Sequence, residues 1–272
     1  MPELPEVETT VRGLAPVLEG QRIASLELRR ADLRRPFAPD LRQRLTGAIV
    51  TRVSRRAKYG LIETDRGDTL VFHLGMSGSW RVDPAEIGPH DHVLIETDAG
   101  RRLVLNDPRR FGSLDLLPTA ALDRTGPFAG MGPEPLGPGF DGAYLEQALA
   151  GRTASIKALL LDQRIVAGLG NIYACEALHL AKISPARAAG RIARPRLDRL
   201  AAAVKTVLLA AIRAGGSSLR NYARPDGELG YFSAEWRVYG REWQRCPECG
   251  HPIRRRVDNG RSTFFCPKCQ RY

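Results

Sequence analysis

The apolar residues near the start of the chain recur at helical spacing. Val7, Val11, Leu14 and Leu18 lie three or four residues apart, which predicts a helix with one buried face. Pro16 should kink or end this helix, because its ring blocks a main-chain hydrogen bond of the preceding turn. The helix follows the opening MPELPEVE, whose acidic residues suit a helix N-terminus.

From Ile23 to Leu117 the pattern changes to short apolar or alternating runs. The runs are IASLEL, IVTRVS, GLIET, TLVFHLGM, HVLIET and RRLVL, with DRGD and DAGR between some of them. Short runs of this kind, separated by turn residues, are typical of β-strands. We therefore predict that residues 1–117 form a β-rich domain with one leading helix.

Proline and glycine are dense over residues 118–142, which predicts an interdomain linker. Helical patterns follow in AYLEQALA, SIKALLLD, NIYACEALHLA and a long run that ends at Gly215 and Gly216. They predict a helical domain over residues 143–237, with a polar loop at 215–232. A short basic segment with cysteines occupies residues 238–272. The predicted fold class is α+β.

Four of the five cysteines belong to this last segment and form two C-x-x-C pairs. Cys246 and Cys249 are separated by 16 residues from Cys266 and Cys269, a spacing that predicts one structural zinc ion held by four thiolates. A redox pair is the alternative, but there are two pairs and no βαβ pattern. The intervening IRRRVDNGRSTFF predicts a basic hairpin with an Asp-Asn-Gly turn. The remaining Cys175 lies on a helical pattern and is expected to be a buried small hydrophobe.

The charge balance of the chain points to an acidic partner. The formal net charge is +11 and the isoelectric point is about 9.9, which is typical of proteins that bind nucleic acid. The sequence has neither an apolar leader segment nor an apolar run long enough to cross a bilayer. We therefore expect a soluble, cytoplasmic protein.

Several short motifs follow one another in a fixed order. They are PELPEVE, RRAKY, HLGMSG, HDH, DPRRFG, GLGNIY and the terminal four-cysteine ribbon. Together they resemble the formamidopyrimidine-DNA glycosylases, bacterial base-excision repair enzymes for oxidised purines. The resemblance implies that residues 1–117 form a helix-led β-sandwich, the catalytic domain, and that the helical domain contains a helix–two-turn–helix element. It also implies a bifunctional DNA glycosylase and abasic-site (AP) lyase that excises 8-oxoguanine and formamidopyrimidines and then cuts the strand by β,δ-elimination.

The resemblance implies four catalytic residues. After removal of Met1, the secondary amine of Pro2 would attack C1′ of the damaged nucleotide and form a Schiff base; an α-amino group titrates near ~8, so a useful fraction is neutral at physiological pH. Glu3 would protonate the sugar ring oxygen. Lys58 would assist β-elimination and Arg261 δ-elimination. Taken alone, Pro2 and Glu3 also fit a helix start, as noted above.

The resemblance also implies a set of DNA contacts. Met76, Arg109 and Phe111 would fill the space left by a flipped base, although methionine and phenylalanine more often pack in a core. Asn171 would present its amide to phosphates, and the Ser217 carbonyl would accept the N7 hydrogen that distinguishes 8-oxoguanine from guanine. The residues that match DNA-contacting positions are His73, Met76, His90, Arg109, Phe111, Arg152, Lys157, Asn171 and Ser217.

Some alternatives stay open at this point. The register near Arg152 is ambiguous by one residue within TASIK, and His92 is as well explained by a structural role. The Leu-Pro of PELPEVE, HLGM and DPRRF favour the purine-specific branch over an endonuclease VIII-like enzyme for oxidised pyrimidines. A noncatalytic protein that binds damaged DNA is a further alternative. The expected partner is double-stranded DNA with oxidised purines or abasic sites, bound by a monomer.

Overall fold

The computed structural model describes residues 2–217, 225 and 230–271. The chain divides into two compact units, one formed by 1–129 with 214–231 and the other by 130–213 with 232–272. The chain passes from the first unit to the second between residues 129 and 130, inside the predicted linker. The linker also contains the 3-10 helices Thr119–Arg124 and Gly126–Phe128. Among the described residues, no helix is long and apolar enough to span a membrane.

Over its described residues, the first unit contains two α-helices and eight strands. They are α1 (Leu4–Leu18), β1 (Ile23–Leu28), α2 (Leu41–Leu45), β2 (Val50–Arg56), β3 (Tyr59–Thr64), β4 (Asp68–His73), β5 (Ser79–Val82), β6 (Asp91–Thr97), β7 (Arg102–Asn106) and β8 (Ser113–Pro118). The strands form two four-stranded sheets in the orders β1-β6-β7-β5 and β2-β3-β4-β8. Every pairing in both sheets is antiparallel.

A single apolar core joins the two sheets and the buried face of α1. Phe72 of β4 meets Trp80 of β5 edge to face, with ring centroids 5.6 Å apart. Gly60 faces the Phe72 ring, and a Cβ atom at this position would collide with it. The helix runs through Pro16 and ends two residues later, at Leu18. The predicted helix-led β-sandwich is therefore present.

In the part of the second unit that the structure describes there are four α-helices and a two-stranded hairpin. They are α3 (Gly142–Leu149), α4 (Ile156–Leu160), α5 (Asn171–Leu180), α6 (Arg194–Arg213), β9 (Arg254–Asp258) and β10 (Arg261–Phe265), with 3-10 helices at Ala189–Arg191 and Phe232–Glu235. Both α3 and α5 pack against α6. Between α4 and α5, the Gln163 side chain accepts a hydrogen bond from Gly168 N at 2.8 Å and donates to Leu169 O at 3.0 Å. These bonds fix the turn that precedes α5.

The hairpin of the second unit has the turn that its sequence predicts. Asp258 pairs with Arg261 across a two-residue turn. Asn259 and Gly260 both have positive φ, 49° and 74°, which is the conformation of a type I′ turn. The turn therefore places Arg261 directly beside the hairpin tip.

Candidate functional site

The start of α1 is tied to Ser217 through the carboxylate of Glu6. Glu6 Oε2 accepts a hydrogen bond from the main-chain N–H of Glu3 at 2.8 Å. Glu6 Oε1 accepts one from the main-chain N–H of Ser217, also at 2.8 Å. Glu3, Glu6 and Ser217 are all buried. One carboxylate thus brings the predicted acid and the predicted lesion-reading residue together, although 211 positions separate Glu6 from Ser217 in sequence.

The third glutamate of the opening motif supports the turn that carries Lys58. Glu8 Oε2 accepts from Arg55 Nε at 2.9 Å, and Arg55 also donates to Ala57 O at 2.9 Å. Burial alone would raise the pKa of Glu8, but the hydrogen bonds and charges of Arg55 and Arg12 outweigh it and lower the pKa. Lys58 itself is buried. Glu8 therefore holds the Lys58 turn against α1.

His73, at the end of β4, is neutral and has a defined tautomer. Burial lowers its pKa to about 4, and the positive charges of Lys58, Arg34 and Arg35 act in the same direction. Nδ1 accepts a hydrogen bond from Gly75 N at 3.1 Å, so the ring proton is on Nε2. At neutral pH His73 is thus a hydrogen-bond donor without charge, which suits a phosphate oxygen.

Met76 and Phe111 are exposed rather than part of the core. Their exposed fractions are 40% and 44%, and the Arg109 guanidinium lies 4.7 Å from the centre of the Phe111 ring. Both side chains sit on loops held by Asp107, which accepts from Ser77 Oγ at 2.6 Å and from Gly112 N at 2.8 Å. Exposed apolar side chains on a rigid loop fit the predicted role as wedges in DNA.

Gly75 allows the loop that carries Met76 to touch the loop that carries Phe111. Its φ is +61°, and a Cβ atom there would collide with the main chain at Phe111 and Gly112. Nearby, His92 is buried and its Nε2 lies 3.0 Å from Asp107 O, which is a structural role. His90 is exposed, and its predicted DNA contact stays a prediction.

Lys157, in the second unit, has an internal partner. Only 2% of it is exposed, and its Nζ donates to Thr263 Oγ1 at 2.8 Å. Thr263 in turn donates to Asp258 Oδ2 at 2.6 Å. Asp258 is the residue that pairs with Arg261 across the hairpin turn. Burial lowers the pKa of Lys157. Lys157 therefore fixes the hairpin that carries Arg261, while its predicted DNA contact stays a prediction.

Asn171, the first residue of α5, is held by the hairpin as well. Its Nδ2 donates to Ser262 O at 2.9 Å, and Tyr239 Oη lies 3.5 Å away. Arg152 is exposed and donates to Ala148 O at 2.9 Å, near the end of α3. The two N–H groups of the Asn171 amide are thus directed to Ser262 O and Tyr239 Oη, and its predicted phosphate contact stays a prediction.

The four cysteines of the terminal segment form one cluster that fits zinc. The Sγ atoms of Cys246, Cys249, Cys266 and Cys269 all lie within 4.8 Å of one another. The pair Cys246–Cys269 is 3.9 Å apart and the pair Cys249–Cys266 is 3.5 Å apart. Four thiolates bound to zinc at about 2.3 Å place their sulfurs about 3.8 Å apart in a tetrahedron. All four ligands come from the protein, so the predicted structural zinc site is confirmed.

The sequence did not reveal every residue that shapes these sites. Glu6 follows Glu3 by three residues, the spacing of a capping box, which signals its bond to Glu3 but not its bond to Ser217. Asp107 precedes a proline, a common turn signal that was available in the sequence. Nothing in the linear pattern indicated that Lys157 is buried or that His179 lies beside Cys246.

Comparison with protein-family models accounts for most of the chain. The Formamidopyrimidine-DNA glycosylase N-terminal domain matches residues 1–114, and the Formamidopyrimidine-DNA glycosylase H2TH domain matches 131–223. The zinc finger found in FPG and IleRS matches 244–271. These matches confirm the predicted family and the α+β architecture with a zinc hairpin.

Individual proteins agree with the family models. A formamidopyrimidine-DNA glycosylase from Rhizorhabdus wittichii is 69% identical, with 100% of both chains covered. A Lactococcus lactis FPG mutant in complex with Fapy-dG-containing DNA is 36% identical, with a TM-score of 0.92 and full coverage of both chains. The complex of Lactococcus lactis Fpg with abasic-site-containing DNA gives 36% identity, a TM-score of 0.91 and the same coverage. The chain belongs to the formamidopyrimidine-DNA glycosylase family.

Proposed function

We propose that this family member excises oxidised purines, 8-oxoguanine and formamidopyrimidines, from DNA and then cuts the strand as an AP lyase. The contact that carries the proposal is the buried carboxylate of Glu6, which accepts from Glu3 N and Ser217 N at 2.8 Å each. Ser217, which is proposed to read the lesion, and Glu3, which is proposed to act on the sugar, are thereby both bonded to the Glu6 side chain. Fixed positions of this kind lower the barrier of a reaction in which both groups take part.

In the proposed first step, the free amine of Pro2 attacks C1′ once Met1 has been removed; Met1 lies outside the described residues. The N–C1′ bond forms as the bond from C1′ to the base breaks, and the base leaves with the bonding electron pair. The base takes up the proton that the Pro2 nitrogen loses, so this nitrogen regains a lone pair. Glu3 donates a proton to the ring oxygen, which opens the sugar and leaves an iminium on Pro2. This positively charged nitrogen is the electron sink for the eliminations.

The eliminations are assigned to two cationic side chains, one in each unit. Lys58 serves β-elimination from the turn that Glu8 and Arg55 support. Arg261 serves δ-elimination from the hairpin that Lys157 and Asp258 support. The Lactococcus lactis relative forms a complex with abasic-site-containing DNA, which supports an AP lyase activity for this chain.

DNA is the partner that fits both the charge and the loops. A net charge of +11 favours binding to phosphates, and Met76 and Phe111 are exposed on rigid loops next to Arg109. Arg109 has fixed N–H donors, which can read the cytosine left opposite a flipped lesion. Recognition of the lesion itself is assigned to 215–232, of which 218–224 and 226–229 lie outside the described residues.

Replacement of Arg109 and replacement of Lys58 should change the dependence of excision on the opposite base in different ways. In Arg109→Ala, discrimination for cytosine opposite the lesion should fall by about 1–3 kcal/mol, because the side chain that reads the base is lost. In Lys58→Ala, activity should fall by a similar factor for every opposite base. Excision measured against all four opposite bases tests this, with Arg110→Ala as the control for loss of one positive charge. If the two variants lose excision in the same proportion at each of the four opposite bases, both assigned roles are contradicted.

The substrate class is tested by a direct comparison in identical duplexes. We expect faster excision of 8-oxoguanine than of thymine glycol, and cleavage at a preformed abasic site. Preference for thymine glycol would indicate an endonuclease VIII-like enzyme instead. Binding without any cleavage of abasic DNA would indicate a noncatalytic damage-binding protein. The cytoplasmic location and the monomeric state stay predictions, for which fractionation and sedimentation are the measurements.

A further inference from the structure

A histidine of α5 lies against one of the zinc ligands. His179 Nε2 is 3.4 Å from Cys246 Sγ, and no part of His179 is exposed. Its other ring nitrogen, Nδ1, is buried and has no hydrogen-bond partner among the described residues. A buried polar atom without a partner is uncommon and calls for an explanation. A leucine would fill this position without that cost, so the contact of Nε2 with the sulfur is what accounts for a histidine.

The chemistry of the ligand determines the direction of this contact. A cysteine that binds zinc is a thiolate and has no proton to donate. Nε2 must therefore carry the ring proton and donate a hydrogen bond to Sγ. Nδ1 is then the unprotonated nitrogen. No acceptor lies beside Nδ1 among the described residues, so nothing there favours a proton on that nitrogen instead.

Further contacts tie the same zinc knuckle to α5. Glu248, which lies between Cys246 and Cys249, pairs with Lys182 at 3.2 Å and with Arg237 at 2.7 Å. Lys182 follows the end of α5 by two residues. The histidine contact is thus part of a fixed attachment rather than an isolated approach.

We propose that His179 is a positioning residue for the zinc site, whose Nε2–H donates to the Cys246 thiolate and makes that sulfur less nucleophilic. A hydrogen bond draws electron density from the thiolate, so the sulfur reacts more slowly with oxidants and alkylating agents. It also neutralises part of the negative charge that four thiolates leave around one zinc ion. The zinc site is thereby protected in an enzyme that deals with oxidised DNA. The proposal depends on the zinc site and not on the proposed catalytic roles.

The test uses the full-length protein with His179→Leu and His179→Gln. Leucine removes the donor, while glutamine places an amide N–H close to the position of Nε2. We expect zinc release during treatment with hydrogen peroxide to be about 10-fold faster in His179→Leu, the lower end of the effect of losing such a partner. In His179→Gln it should return close to the wild-type rate. His251→Ala, at an exposed histidine of the same segment, is the matched control and should release zinc at the wild-type rate.

Cobalt substitution supplies a readout that packing alone does not change. Loss of the hydrogen bond raises the energy of the sulfur electrons, so the sulfur-to-cobalt charge-transfer band of His179→Leu should move to longer wavelength. Glutamine should restore the band. An unshifted band with unchanged zinc release would overturn the proposal. Faster release with an unshifted band and no rescue by glutamine would also overturn it, because the effect would then be one of packing.

Discussion

Protein that keeps Met1 or carries an N-terminal tag is expected to lose base excision and borohydride trapping together. The extra residue converts the nitrogen of Pro2 into an amide, which is neither basic nor nucleophilic. Activity should fall by on the order of 10³-fold or more, as for removal of a covalent nucleophile in other enzymes. Untagged protein should give a reduced protein–DNA crosslink that maps to the N-terminal peptide. The measurements are N-terminal mass determination, excision of 8-oxoguanine and mapping of the crosslink.

The neighbouring acid gives a finer test of the same site. Glu3→Gln keeps the size of the side chain but removes the acid, so excision should fall by roughly 10²–10⁴-fold. Cleavage at a preformed abasic site should fall less, because the base has already left. Glu27→Gln, at an exposed position of β1, controls for the lost charge.

A role of Pro2 and Glu3 only in the helix start predicts a different result. In that case Glu3→Gln should cost about 0.3–1 kcal/mol of stability and cause no chemical defect. A tagged protein that excises at the full rate, or a crosslink that maps to Lys58, would refute the assignment. DNA binding is the control for folding, since the tagged protein should still bind damaged duplex while it no longer excises the base.

Cys246→Ser is expected to abolish zinc binding and, with it, tight binding to DNA. The hairpin that carries Arg261 lies between the two cysteine pairs, and its folding free energy comes largely from the metal. Metal analysis should find about one zinc per wild-type chain and a small fraction of that in the variant. The affinity for lesion-containing duplex, measured at fixed salt, should fall in parallel.

Cys175→Ala provides the matched control for this experiment. Cys175 is 1% exposed and packs in the same cluster as Cys246 and Cys266, yet it is not one of the four clustered ligands. Its removal should leave the zinc content unchanged. Active protein without zinc, or zinc loss in Cys175→Ala equal to that in Cys246→Ser, would contradict the structural role of the metal.

Features that depend on neighbours along the chain were predictable from the linear pattern. The helical spacing of Val7, Val11 and Leu14 predicted α1. The Asp-Asn-Gly segment predicted the hairpin turn, which has the type I′ conformation. The cysteine spacing gave the zinc site, because two residues between ligands place both sulfurs on one side of a tight turn. Such features follow from local geometry and need no knowledge of the rest of the fold.

Contacts between groups far apart in sequence depend on the fold and were not predictable from the linear pattern. The bond from Ser217 N to Glu6, the bond from Lys157 to Thr263 and the contact of His179 with Cys246 join residues 211, 106 and 67 positions apart. A periodic pattern records whether a side chain faces the core, but not which distant polar group it meets there. Lys157 shows the reason most clearly, because a buried ammonium is stable only where the fold supplies partners such as Thr263.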